Sequence, residues 1–125
     1  MNTYKKPIIS VDAGMAEGVY AASGAEGTLT VAQYGVWDRW AAGGKHLLQA
    51  SWSNLTGTIT VTISFNDTID DVETDDASVT KSISGQNVSL TFASTATNPL
   101  TIGIHLNHGT SIDDLTMTGY TYSVK

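Results

Sequence analysis

Three tryptophans and a tyrosine lie close together in the chain: Tyr34, Trp37, Trp40 and Trp52. Sugar rings present apolar C–H faces that stack on indole, so these four, if exposed on a sheet, are candidate contacts for a polysaccharide. The same residues serve equally as core, since a tryptophan bracing two sheets is common in sandwich proteins. A second group is acidic. The stretch from Asn66 to Asp76 brings Asp67, Asp70, Asp71 and Asp75 within ten residues, hard oxygen donors that suit calcium on a flexible loop. It lacks the central glycine and the closing bidentate glutamate of the helix-flanked calcium loop, and a plain solvated loop is the other reading. The third group is histidine. His105 and His108 stand three residues apart with Asp113 and Asp114 nearby, and His46 lies near the start of a strand, residue types that a zinc site or a Ser-His-Asp relay requires. No nucleophile elbow, metalloprotease helix or Gly-rich phosphate loop accompanies them, so the expectation is a protein without catalytic function.

The elements that would position these residues are strands. Ile59-Thr60-Val61-Thr62-Ile63-Ser64-Phe65, Val88-Ser89-Leu90-Thr91-Phe92 and Leu100-Thr101-Ile102-Gly103-Ile104-His105-Leu106 alternate apolar and polar side chains. A period of two puts one set on a buried face and the other on a wet face. Strands are expected over 28–36, 46–53, 57–66, 78–84, 86–94, 100–107 and 115–124. Turns are expected at Gly43-Gly44, Thr56-Gly57, Ser84-Gly85-Gln86-Asn87, Asn98-Pro99 and Asn107-His108-Gly109. In the last strand Leu115 and Met117 hold one phase and Tyr120, Tyr122 and Val124 the other, which predicts a bulge at Gly119. The spacing favours an all-β, immunoglobulin-like antiparallel β-sandwich of about seven to nine strands. Its expected core is Leu29, Val31, Leu48, Ile59, Val61, Ile63, Phe65, Val79, Val88, Leu90, Phe92, Ile102, Ile104 and Leu106.

The division expected is an N-terminal arm over 1–27 and a sandwich domain over 28–125. The arm is rich in alanine and glycine, and Pro7 to Val11 suits a short edge strand. An arm of this kind can complete the sheet of a neighbouring subunit, with Ile8, Ile9 and Val11 filling pockets. The other reading of the arm is a flexible lead-in.

Composition narrows the partners. The 125 residues carry a formal net charge of −6, which disfavours nucleic acid and anionic lipid. Charged residues make up only 14% of the chain, and serine and threonine fill the polar positions, as on many extracellular β-modules. Cysteine is absent, which excludes a disulfide scaffold and thiolate chemistry. No apolar run is long enough to span a membrane as a helix.

Residues 28–110 resemble the β-sandwich cellulose-binding modules of bacterial secreted enzymes, family 2 of the carbohydrate-binding modules and its relatives. The resemblance rests on Tyr34-Gly35-Val36-Trp37-Asp38-Arg39-Trp40-Ala41-Ala42-Gly43-Gly44, then Ser51-Trp52-Ser53-Asn54-Leu55-Thr56-Gly57. The strand Ile59 to Phe65, the Ser84-Gly85-Gln86-Asn87-Val88 hairpin and the Asn98 corner fall in the same order. It implies a sandwich fold and a glycan-binding face. The departures are specific: of three exposed aromatics in that family only Trp40 falls in place, and the family's frequent terminal disulfide is missing. Tyr4-Lys5-Lys6-Pro7-Ile8-Ile9 and Ala16-Glu17-Gly18-Val19-Tyr20-Ala21-Ala22-Ser23-Gly24 are similar to the N-termini of small proteins of anaerobic Gram-positive bacteria. The expectation is therefore a secreted or cell-surface protein acting in assembly or adhesion, through self-association or contact with another surface protein. The alternative is a carbohydrate-binding module.

Overall fold

A computed structural model describes residues 27–125. The expected arm strand, with Ile8, Ile9 and Val11, lies outside the described residues. Eight strands run in chain order: β1 Thr28–Trp40, β2 Gly43–Ser53, β3 Thr58–Phe65, β4 Asp71–Thr74, β5 Thr80–Ser84, β6 Asn87–Ala93, β7 Leu100–Leu106 and β8 Met117–Val124. A 3-10 turn, Ile112–Asp114, precedes β8. The strands form two antiparallel four-stranded sheets, ordered β1-β2-β7-β4 and β5-β6-β3-β8. The chain is thus an all-β sandwich, as its alternation requires. None of the described helical segments is long and apolar enough to cross a membrane.

Alternation explains the two layers. Ile59, Val61, Ile63 and Phe65 of β3 face inward beside Val88, Leu90 and Phe92 of β6, and Leu48, Ile102 and Ile104 meet them from the other sheet. Every residue of the expected core is buried. On the outer side of β3 and β6 the hydroxyl residues pair across the strands: Thr60 with Thr91 at 3.1 Å, Thr62 with Ser89 at 3.0 Å. Such cross-strand pairs fix register, because a slip of one residue would bury the hydroxyls. The two sheets close along β1 and β8, where the Met117 N–H donates to Gln33 Oε1 at 2.9 Å.

Two expected local devices are present. Gly85 stands at positive φ (60°) as the first residue of the two-residue β5–β6 loop, the position that a type II′ turn reserves for glycine. In β8, Gly119 pairs with Ser64 and Met117 with Phe65, so Thr118 is the extra residue of a bulge.

Two expectations fail. The turn between the first strands is Ala41-Ala42, not Gly43-Gly44, and β1 runs on to Trp40 while β2 begins at Gly43. Bulges in β1 at Tyr34 and Trp37 break its alternation but let the pairing continue. The second failure is β4, an ordered edge strand inside the acidic stretch read as loop. Val72 is its one buried apolar residue, opposite Ile104, too little periodicity to mark a strand in sequence.

Candidate binding face on the β1-β2-β7-β4 sheet

The four aromatics separate into two populations. Trp52 shares the inward phase of Leu48 and Ala50 on β2 and is only 8% exposed. Its ring lies 4.9 Å from Phe92, centroid to centroid, and its Nε1–H donates to the Ser94 carbonyl at 2.9 Å. Asn98 clamps its backbone from both sides, accepting from Trp52 N–H and donating to Trp52 C=O. Trp52 is therefore a brace between the sheets and not a ligand contact, which corrects the sequence expectation. Tyr34, Trp37 and Trp40 are 64%, 67% and 36% exposed. All three stand on β1, an edge strand, and Tyr34 and Trp37 are the two bulge residues, without a partner across the ladder. Bulges here also keep the edge from templating further strands.

Trp40 is held in place. Its Nε1–H donates to Asn107 Oδ1 at 2.6 Å, and its ring sits 5.6 Å from that of His105, tilted by 53°. His105 lies on the outward side of β7, in register with Lys45 of β2 and Asp71 of β4. Glu73 of β4 joins them: Lys45 Nζ donates to Oε2 at 2.5 Å, and His105 Nε2 lies 3.1 Å from Oε1. The Lys45 hydrogen bond, with help from His105, holds the Glu73 carboxyl below its ordinary pKa. Gly103 makes this arrangement possible. It lies between Leu47 and Glu73 in the sheet, and a Cβ on it would come within 2.8 Å of Glu73 Cγ and 3.1 Å of Lys45 Cδ. The outcome is one partly exposed indole, Trp40, next to an imidazole and an amide, with a carboxylate and an ammonium beyond the imidazole, a group that can stack and can donate and accept hydrogen bonds.

Sequence reasoning did not single out Lys45, Glu73, Gly103 or Asn107 for this face. One signal was available: Gly103 interrupts the outward positions of a run that otherwise alternates without a break.

The acidic residues do not converge on a common point. Asp71 Oδ1 accepts the Val72 N–H at 2.9 Å, and Asp75 Oδ1 accepts the Thr101 N–H at 3.0 Å. Asp67 and Asp70 instead grip His108, with Nε2 3.1 Å from Asp67 Oδ2 and Nδ1 2.6 Å from Asp70 Oδ2. Asp70 Oδ2 also takes the backbone N–H of Asn107. Among the described residues no group of three or more His, Asp or Glu is placed to hold a metal ion. The expected calcium set of Asp67, Asp70, Asp71 and Asp75 is corrected accordingly: Asp71 and Asp75 serve separate backbone N–H groups, and Asp67 and Asp70 share the His108 imidazole.

The histidines also part company. His105 faces Trp40 and Glu73, whereas His108 sits in the Asp67–Asp70 clamp, so the pair forms neither a zinc site nor a relay. Both His108 ring nitrogens face carboxylate oxygens, which only accept, so the imidazolium is the form that fits. Its pKa is raised, first by the Asp70 hydrogen bond and then by that of Asp67. His46 is the opposite case. It is buried on β2 with no hydrogen-bond partner for either ring nitrogen among the described residues, and burial lowers its pKa. Asp113 pairs with Arg39.

No model of a known protein family matches this chain, and neither does a curated protein or a solved structure.

Proposed function

We propose that the sandwich is a non-catalytic carbohydrate-binding module that holds a glycan against Trp40 and the neighbouring exposed aromatics of β1. The observation that carries this reading is the immobilised, partly exposed Trp40 ring, bordered by Asn107, His105, Glu73 and Lys45. A fixed indole stacks on a sugar ring without first losing rotamer freedom, and polar groups around it meet the hydroxyls. The hydroxyl-rich surface and the resemblance over residues 28–110 point the same way, towards a secreted or cell-surface setting. The test is retention on insoluble polysaccharides, read by depletion from solution. Wild-type protein should be depleted by at least one neutral polysaccharide, and Trp40→Ala should remain in solution. Equal depletion of the two proteins, or none by any polysaccharide, would sink the reading.

A second reading, assembly through the N-terminal arm, has one supporting observation on the described domain. The strand β5 is exposed at all five positions and, among the described strands, stands at a sheet edge whose ladder can take an added strand. Light scattering of the full chain against a chain beginning at Thr28 separates the two. A larger particle for the full chain alone supports assembly, and two monomers exclude it.

A further inference from the structure

At the β1–β2 turn, beside Trp40, the surface forms an open recess of about 300 Å³, bounded by Arg39, Trp40, Gly109, Thr110, Ser111 and Asp113. The walls come from two parts of the chain: the end of the β1–β2 hairpin, and the turn that runs from Gly109 into the 3-10 segment. The Gly109 N–H donates to the Ala42 carbonyl at 2.8 Å and ties the two walls together.

Asp113 and Arg39 face each other here. Arg39 Nε lies 3.1 Å and 3.0 Å from the two carboxylate oxygens, and Nη2 lies 2.6 Å from Oδ1. Ser111 supports the carboxylate from behind: its hydroxyl lies 3.4 Å from Oδ2 and accepts the Asp113 N–H at 3.2 Å. A bidentate pair of this kind has fixed geometry. It is also largely exposed, so it adds little to stability. What it provides is a pre-set acceptor beside a pre-set donor: Asp113 takes three hydrogens from Arg39 and Ser111 and keeps one acceptor site of about four, and the Arg39 Nη1 end lies outside the pair. Adjacent acceptor and donor match two neighbouring hydroxyls of a sugar ring.

Resting on the glycan-binding reading above, we infer that this recess is a subsite for one neutral pyranose ring. The ring packs its C–H face on Trp40 and gives and takes hydrogen bonds with Asp113 and Arg39. Charge selects the class of sugar. Arg39 is already neutralised by Asp113, and the chain carries a net charge of −6, so a uronic acid or a phosphorylated sugar meets no uncompensated cation. The volume lies at the lower end of small-molecule sites, about 300–1,000 Å³, which suits a single ring and not a longer stretch of chain.

The experiment uses the full chain with hexasaccharides of β-glucan, xylan and mannan, and with oligogalacturonate as the anionic comparison. Binding is read by amide chemical shifts and by calorimetry. At least one neutral probe should move the Gly109, Thr110 and Ser111 amides in a saturable way. Asp113→Asn and Arg39→Gln should each weaken that probe about tenfold, the loss of one charged hydrogen bond, with the melting temperature unchanged. If Trp40→Ala weakens binding while both polar variants bind like wild type, the recess is not the subsite although the module still binds glycan. Preference for oligogalacturonate overturns the neutral class. If no probe moves any resonance, the subsite and the glycan-binding reading fall together.

Discussion

Replacing His46 with leucine should stabilise the domain, the opposite of what most core substitutions do. His46 is 6% exposed, faces the core from β2, and lies in register with Val36 on one side and Ile104 on the other. Neither ring nitrogen has a hydrogen-bond partner among the described residues. A buried polar group left in this state costs about 1–3 kcal/mol, and leucine removes that cost while adding apolar contact. The expected gain is about 1–2 kcal/mol near pH 7, and each 1 kcal/mol corresponds to about 4–8 °C in melting temperature for a domain of this size. The pH dependence gives a sharper signature. Burial lowers the folded-state pKa of His46, so as pH falls through about 6.5 the unfolded ring takes a proton that the folded ring refuses. Wild-type stability therefore falls from about pH 6.5 down towards the folded pKa, and His46→Leu should lose this acid limb. His108 has the reverse sign, because its folded pKa is raised by Asp70 and Asp67. Its contribution is complete below about pH 6.5 and is lost as pH rises through the folded value. The two limbs place the stability maximum of the wild type near pH 6.5, and His108→Gln should flatten only the alkaline side. Urea unfolding followed by circular dichroism from pH 5 to 8.5 measures both limbs, above the range where ordinary carboxylates titrate. A His46→Leu protein that is less stable than wild type, or that keeps the acid limb, refutes the reasoning.

Other substitutions separate the framework from the face. Trp52→Ala should cost about 3–5 kcal/mol by opening the core beside Phe92, whereas Trp37→Ala should change stability by no more than about 0.5 kcal/mol, both measured by chemical unfolding. Gly103→Val places methyl groups where Glu73 Cγ and Lys45 Cδ now run; these are flexible side chains, so thermal melting should drop by only a few degrees while the Lys45–Glu73 pair separates. That separation would appear as a rise of the Glu73 pKa towards its ordinary value in a carboxyl NMR titration, and an unchanged Glu73 pKa would show that Gly103 does not set the pair. Asp76 accepts hydrogen bonds from the Thr97 N–H and from the Ser78 N–H and hydroxyl, which hold its pKa far below the usual carboxylate range. Asp76→Asn should therefore reduce stability at pH 7 by a margin that narrows as pH falls below about 4, as unfolding at pH 2 against pH 7 would report.

The layers of this sandwich were legible because burial and hydrogen bonding both act with a period of two. Ile59 to Phe65 could face only one way once Thr60 and Thr62 were assigned to water, and the phase change after Met117 located the bulge that Gly119 and Thr118 form. The same logic, carried one step further, would have placed Trp52 inside, since it shares parity with Leu48 and Ala50. It fails where a strand is held by its neighbours' pairing and not by its own pattern. β4 has Val72 and little else, and it exists because β7 offers it a ladder. The binding face is of that second kind. Trp40, Lys45, Glu73, His105 and Asn107 are brought together by the register of four strands from three separate stretches of the chain, and Gly103 matters only because of what lies on either side of it. Composition and spacing along one chain carry no record of such a juxtaposition. Pairing of charge types across an already inferred register would carry it, since Lys45, His105 and Asp71 occupy one row across β2, β7 and β4, and Glu73 is two residues from Asp71 on the same side of β4.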